Sequence, residues 1–149
     1  MEKSAAFIQE IITECEIDAP AEKVYSVISN FKNFPEWTKD IAFTGDVKPG
    51  GKMKTIVNDP EGGPMELKSE ILKMDENMIL FRHTMAPLIF TCLHRYEIIP
   101  LSENKVRFVN AEIFKGFAVP FVRKKKLLMN ARKFKDGFNK SLKKTVEAK

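Results

Sequence analysis

Between Ile41 and Phe114, apolar and polar residues alternate with a period of two through six consecutive segments: IAFTGDV, KMKTIVND, MELKSEILKM, MILFRHTM, FTCLHRYEII and KVRFVNAEIF. Successive side chains of a strand point to opposite faces, so each segment predicts a half-buried β-strand. The breaks between them (KPGG, DPEGGP, DEN, APL, PLSEN) are short and rich in turn formers. Strands joined so tightly run antiparallel, as a meander. A seventh strand precedes them in FIQEIITECEI. There Phe7, Ile11, Cys15 and Ile17 share one face, and Glu10, Glu14 and Glu16 the other.

The period changes to 3.6 at two places. In DAPAEKVYSVISNF, Pro20 suits a first helical position and Glu22 complements the positive end of the helix dipole. Val24, Val27, Ile28 and Phe31 then mark one helical face. The stretch NFKNFPEW breaks that helix at Pro35 and predicts a second short one, which holds the sole tryptophan, Trp37. From Val119 onward, Leu127, Ala131, Phe134, Phe138, Leu142 and Val146 form a stripe, with Arg123, Lys126, Lys133, Lys140 and Lys144 mostly off it. That predicts a closing helix of about 25 residues, whose buried stripe is worth on the order of 10 kcal/mol. The order strand, two short helices, six strands, long helix gives an α+β architecture spanning 1–149 as one domain. In it a seven-stranded curved antiparallel sheet wraps the C-terminal helix. A strongly twisted sheet around one helix leaves a space between them, and that space is the functional candidate.

Composition narrows the class. Of 149 residues, 44% are apolar and 30% charged, which suits a folded globular chain rather than a disordered one. Cys15 and Cys92 stand in no metal or redox spacing, which fits a reducing, cytoplasmic setting. The first residues have no apolar core of the kind a signal peptide needs, and no apolar run approaches the roughly 18 residues of a membrane span. Charge is uneven: residues 115–149 carry twelve Lys or Arg against two Asp or Glu, whereas residues 1–114 carry thirteen against eighteen. The run Arg123, Lys124, Lys125, Lys126 lies at the start of the long helix, where cations oppose the dipole. A weak contact with an anionic membrane surface would account for it. Nucleic acid is not an expected partner, because no recognition motif is present and the aromatics are committed to the interior.

Four stretches in order carry a family likeness: EIDAPAEKVYSVISNFKNFPEW, LHRYEIIPL, AEIFKGFAVP and ARKFKDGFNKSLKKTVE. Together they resemble the helix-grip fold of the START and SRPBCC superfamily, to which polyketide cyclases and birch-pollen allergen relatives belong. The likeness covers nearly the whole chain. It implies an internal cavity for apolar molecules, used for carriage, sensing or occasional catalysis. The chain departs from the pattern before KVRFVNAE, where SEN replaces the usual glycine.

Strand alternation names the cavity wall. Met53, Thr55 and Val57 oppose Lys52 and Lys54, while Met65, Leu67, Ser69 and Ile71 oppose Glu66, Lys68 and Glu70. Phe81 and His83 oppose Arg82, and Phe90, Cys92, His94, Tyr96 and Ile98 oppose Arg95 and Glu97. In the last strand Val106, Phe108, Asn110, Glu112 and Phe114 are assigned inward, since Arg107 on the other set suits solvent. The expected ligand-binding set is therefore Trp37, Met53, Met65, Leu67, Phe81, His83, Phe90, His94, Tyr96, Phe108, Asn110, Glu112 and Phe134, an apolar wall with few polar groups. A buried Glu112 needs a partner, for which His94 or Arg95 is expected. The polar groups can satisfy one another or touch a ligand, and the two roles coexist. The leading expectation is binding or carriage of an apolar small molecule, with no cofactor and no metal. An enzyme of cyclase, hydratase or isomerase type, using Glu112 with His94 or His83 as acid or base, is the second reading. A protein–protein module similar to the heat-shock ATPase activators, which share this fold, is the third. Trp37 suits the core or the cavity rim, and DPEGGP a plain hairpin turn or a hinged flap over the mouth.

Overall fold

The structure, a computed structural model, describes residues 4–59, 63–124 and 127–148. The chain runs β1 Ser4–Ala5, β2 Ile8–Ile17, α1 Ala21–Ser29, a 3-10 turn Phe31–Asn33, α2 Phe34–Trp37, β3 Ile41–Gly45, β4 Met53–Asp59 and β5 Gly63–Asp75. It continues through β6 Met78–Ala86, β7 Phe90–Ser102, β8 Lys105–Lys115, α3 Val119–Lys124 and α4 Leu127–Glu147. The strands form one antiparallel sheet in the order β1-β2-β8-β7-β6-β5-β4-β3. The seven expected strands are all present, and the two-residue β1 extends the β2 edge. The helices after β2 carry the chain from one edge of the sheet to the other.

Local chemistry explains most boundaries. Pro20 sits one residue earlier than expected, as the N-cap of α1 with extended ψ of 148°, and its carbonyl accepts the first helical bonds from Lys23 and Val24. The short helix around Pro35 splits into the 3-10 turn and α2, with Pro35 in the first turn of α2, where a missing N–H is harmless. β3 stops at Gly45, two residues before the expected end. Its φ of 86° and the Lys52 carbonyl, 2.6 Å from where a Cβ would stand, leave room only for glycine. A bulge between Ile71 and Lys73 shifts the phase of β5. Leu72 turns out to solvent and Met74 packs inward, although simple alternation puts Leu72 and Met74 on the same face.

The even-numbered set of β8 faces inward, with Val106, Phe108 and Asn110 at 1% exposure or less. Val109 and Ala111 on the other face are also buried. Their cross-strand neighbours, Glu14 and Glu97 for Val109 and Ile12 and Arg95 for Ala111, are longer and cover them.

The interior has two unequal halves. Under the C-terminal half of α4, Phe31, Phe34, Phe43, Phe81, Tyr96, Phe108 and Phe138 fill the space as a continuous aromatic cluster. Ring centroids there lie 5.0 Å apart for Phe31–Phe43 and 5.2 Å for Tyr96–Phe138. Towards α3 the packing thins to Ile11, Cys92, Phe114 and Val119, with Met85, Phe90 and Ala131 around them. Among the described residues no helix is long and apolar enough to cross a membrane.

Candidate functional site

The thin half of the interior encloses a cavity of about 540 Å³. Met65 and Leu67 of β5, Met85 of β6, Phe90 of β7 and Phe114 of β8 form its sheet wall, and Val122 of α3 with Ala131 and Phe134 of α4 form its helix wall. Asp40, Asn130 and Lys133 lie at its exposed margin. His83, His94, Glu112 and Lys135 make up its polar part.

The sheet register builds that polar part. Cross-strand neighbours share a face, so the pairings Phe81↔His94 and His94↔Glu112 set one inward row. Ser69↔His83, His83↔Cys92 and Cys92↔Phe114 set the next. From the facing helix Lys135, 2% exposed, reaches down to Glu112 with Nζ 2.8 Å from Oε2. The Cys92 thiol donates to Glu112 Oε1 at 3.0 Å. Lys135 also donates to Asn110 Oδ1 at 3.3 Å.

These contacts fix a proton. The Lys135 ammonium has only hydrogens to offer, so the Asn110 atom facing it is oxygen. Asn110 Nδ2 then donates to Asn139 Oδ1 at 3.1 Å, Asn139 Nδ2 to Thr13 Oγ1 at 3.1 Å, and Thr13 Oγ1 to the Asn110 carbonyl at 3.2 Å. His94 Nε2 lies 2.7 Å from the same Asn110 oxygen and 3.4 Å from Lys135 Nζ, and the much shorter contact makes it a donor to Asn110. Neutral His94 therefore bears its lone pair on Nδ1, which receives no hydrogen bond from any described residue. His83 is held through Nδ1 by Ser69 Oγ at 2.7 Å, which leaves Nε2 as its other polar atom.

Electrostatics follow from burial and the Glu112–Lys135 ion pair. Burial alone would raise the Glu112 pKa, but Lys135, His94 and the two hydrogen bonds outweigh it and lower it to about 2. Burial lowers His83 to about 4, and burial together with the Lys135 charge lowers His94 to about 3, so both rings are neutral near pH 7. Burial and the Glu112 charge push the Cys92 thiol well up, which keeps it a donor. The site thus offers a charge-balanced carboxylate and ammonium, two neutral imidazoles and an apolar wall. It can hydrogen-bond a neutral polar group and exclude water from it.

The structure brings together Met65, Leu67, His83, Phe90, His94, Glu112 and Phe134 of the expected ligand set around the cavity. Met53, Phe81, Tyr96, Phe108 and Asn110 face the same way but lie in the solid half or behind the polar groups. Tyr96 Oη is buried there without a hydrogen-bond partner among the described residues. Trp37 packs on Phe34 and Phe138 at 4.8 and 5.2 Å and borders a different, polar surface hollow with Asn30, Glu36, Ser141 and Lys144. The expected partner of Glu112 is corrected. His94 is its cross-strand neighbour but bonds Asn110, and Arg95 lies on the outer face with Glu97 at 3.3 Å. Lys135 is the partner, which the sequence expectations missed although its spacing carried a signal. Ala131, Lys135, Phe138 and Leu142 follow the spacing of the apolar stripe, so a cation stood in the buried face. Asn139 and Thr13 were missed in the same way. Lys125 and Lys126 lie outside the described residues, as do the side chains of Arg123 and Lys124, and so do residues 60–62 of DPEGGP.

Residues 9–148 match the family described as polyketide cyclase / dehydrase and lipid transport. A START superfamily protein from Mycobacterium smegmatis is 19% identical and superposes with a TM-score of 0.72 over 93% of this chain and 97% of its own. The Zhui aromatase/cyclase from Streptomyces sp. R1128 is 11% identical, with a TM-score of 0.74 over 94% of each chain. Norcoclaurine synthase from Thalictrum flavum, solved in complex with dopamine and hydroxybenzaldehyde, is 17% identical, with a TM-score of 0.72 over 95% of this chain and 88% of its own. At these identities the likeness to solved structures is one of fold. No protein among those of curated function matches the chain in sequence.

Proposed function

The chain belongs to the polyketide cyclase / dehydrase and lipid transport family, and on that premise we propose that it binds or carries an apolar small molecule, a lipid, an aromatic or a polyketide-like compound, in the cavity between sheet and α4. The observation that carries this is the cavity itself: about 540 Å³ of space beside a packed aromatic core, walled by Met, Leu, Phe and Ala. Ligand sites of roughly 300–1,000 Å³ have this composition, apolar with a few placed polar groups. Because Glu112 is already matched by Lys135, an ionised ligand group would find no free counter-charge in the depth of the cavity, Asp40 and Lys133 standing only at its margin. The fitting guest is neutral, with a hydroxyl that donates to His94 Nδ1. The Cys92 thiol bond to Glu112 suits a reducing, cytoplasmic setting.

Ala131 lines the cavity from α4, so Ala131→Trp places an indole in the open space. The parent should take up a lipophilic dye such as Nile red. The variant should bind it at least about tenfold more weakly with an unchanged melting temperature. Equal uptake by both would sink the cavity reading. Native mass spectrometry of the protein from its own cells would then identify the guest.

One observation favours a second reading, an enzyme of cyclase, hydratase or isomerase type: the Glu112–Lys135 pair and two neutral histidines open onto the same apolar space. Such an enzyme would lose turnover of the identified guest with His94→Gln while still binding it. A carrier would return the guest unaltered in both forms.

A further inference from the structure

At the α3 end of the molecule three separate segments expose bulky apolar side chains. Leu88 is 82% exposed, Ile89 55%, Phe117 70% and Phe7 48%. They form one surface. The Phe7 and Phe117 rings meet edge to face at 5.3 Å, the Gly116 N–H donates to the Phe7 carbonyl, and the Ala118 N–H donates to the Ile89 carbonyl. Scattered exposed apolar residues are ordinary on a soluble protein, but a contiguous group marks a contact.

Leu88 adds a second observation. It follows Pro87 in a tight turn closed by the Ile89 N–H to the Ala86 carbonyl, and its φ is 64°. That is the turn position where glycine or asparagine costs least. Neither backbone conformation nor solubility selects a leucine there, so its side chain serves another purpose. The side chains project from separate turns at one tip of the molecule rather than lying across a flat face, which suits a soft, fluid partner better than a rigid one. Lys115 lies beside them, exposed, and Lys133 is exposed at the margin of the neighbouring cavity. The tip also adjoins the cavity, since Phe90 and Phe114, which neighbour Ile89 and Lys115 in the chain, turn inward to line it.

We propose that this tip docks on an anionic lipid surface, with Phe7, Leu88, Ile89 and Phe117 entering the headgroup region and basic side chains answering the lipid charge. The inference stands on the outer surface and does not depend on what the cavity holds.

The test is co-sedimentation with phosphatidylcholine vesicles, with and without phosphatidylserine, for the parent and a Leu88→Ser/Ile89→Ser/Phe117→Ser variant. All three replaced side chains are more than half exposed, so the variant should keep its circular dichroism and its dye uptake. The parent should pellet with the phosphatidylserine vesicles, and the variant should partition at least about tenfold less. Three outcomes overturn the proposal: a parent that never pellets, a variant that pellets as well as the parent, or pelleting that ignores phosphatidylserine. A parent that sediments as a dimer, becomes monomeric on substitution and leaves vesicles alone would assign the tip to a second copy instead.

Discussion

Glu112 and Lys135 stabilise each other only while both are present. Lys135 has 3% of its side chain exposed, so Glu112→Gln leaves an ammonium in the interior without its counter-charge. The variant should lose about 3 kcal/mol or more in urea unfolding, and Glu112→Gln/Lys135→Met should recover most of it. A double variant as unstable as the single one would mean that the pair matters through something other than charge. The histidines give a second prediction. Folding lowers His83 to about 4 and His94 to about 3 from 6.5, so below pH 6.5 the unfolded chain binds protons that the native state refuses. Stability is therefore full above that pH and falls as the solution is acidified, with a slope approaching two protons, about 2.7 kcal/mol per pH unit. Glu112, lowered to about 2 from 4.5, contributes stability above pH 4.5 that is lost as pH falls towards 2, with the same sign. Unfolding curves at about pH 7, 6 and 5 measure the slope, and His83→Gln should reduce it by about one proton. Glu112, His83 and His94 were legible as inward residues because strand alternation assigns a face whatever the partner. The ion pair was not, because a helical stripe is recognised by its apolar members and Lys135 reads at first as one more wet lysine.

At the scale of elements, the corner between β8 and α3 depends on one residue without a side chain. A Cβ on Gly116 would stand 2.2 Å from the Ile89 carbonyl oxygen, and φ there is 126°. Gly116→Ala should cost about 2 kcal/mol or more, read as a fall in melting temperature. The neighbouring turn predicts the opposite sign. Leu88→Gly relieves a left-handed leucine and should raise stability by up to about 1 kcal/mol while weakening any lipid contact. A variant both less stable and unaltered on vesicles would remove the reason given for that leucine. The long strands were legible because period-two alternation and Gly/Pro breaks reinforce each other. The features that escaped break such patterns locally: the bulge at Leu72, the shortened β3, and β1, whose two residues are too few to show a period.

For the whole molecule, the order of elements in the sequence was enough to place a curved sheet around a terminal helix. The size of the space between them was not, since it depends on how large rings share one volume. Phe31, Phe34, Phe43, Phe81 and Phe108 all crowd one end, and only the three-dimensional packing shows that the other end is left hollow. α4 spans both regions. Amides at 138–146, clamped over the aromatic cluster, should exchange with deuterium only when the protein unfolds globally. Those at 129–134, beside open space, should exchange through local opening and slow when a guest is bound. Uniform protection along α4 would contradict this division. One end of the rod is then free to breathe while the other stays anchored, so a visitor can enter and leave through a partial loosening that never puts the native register at risk.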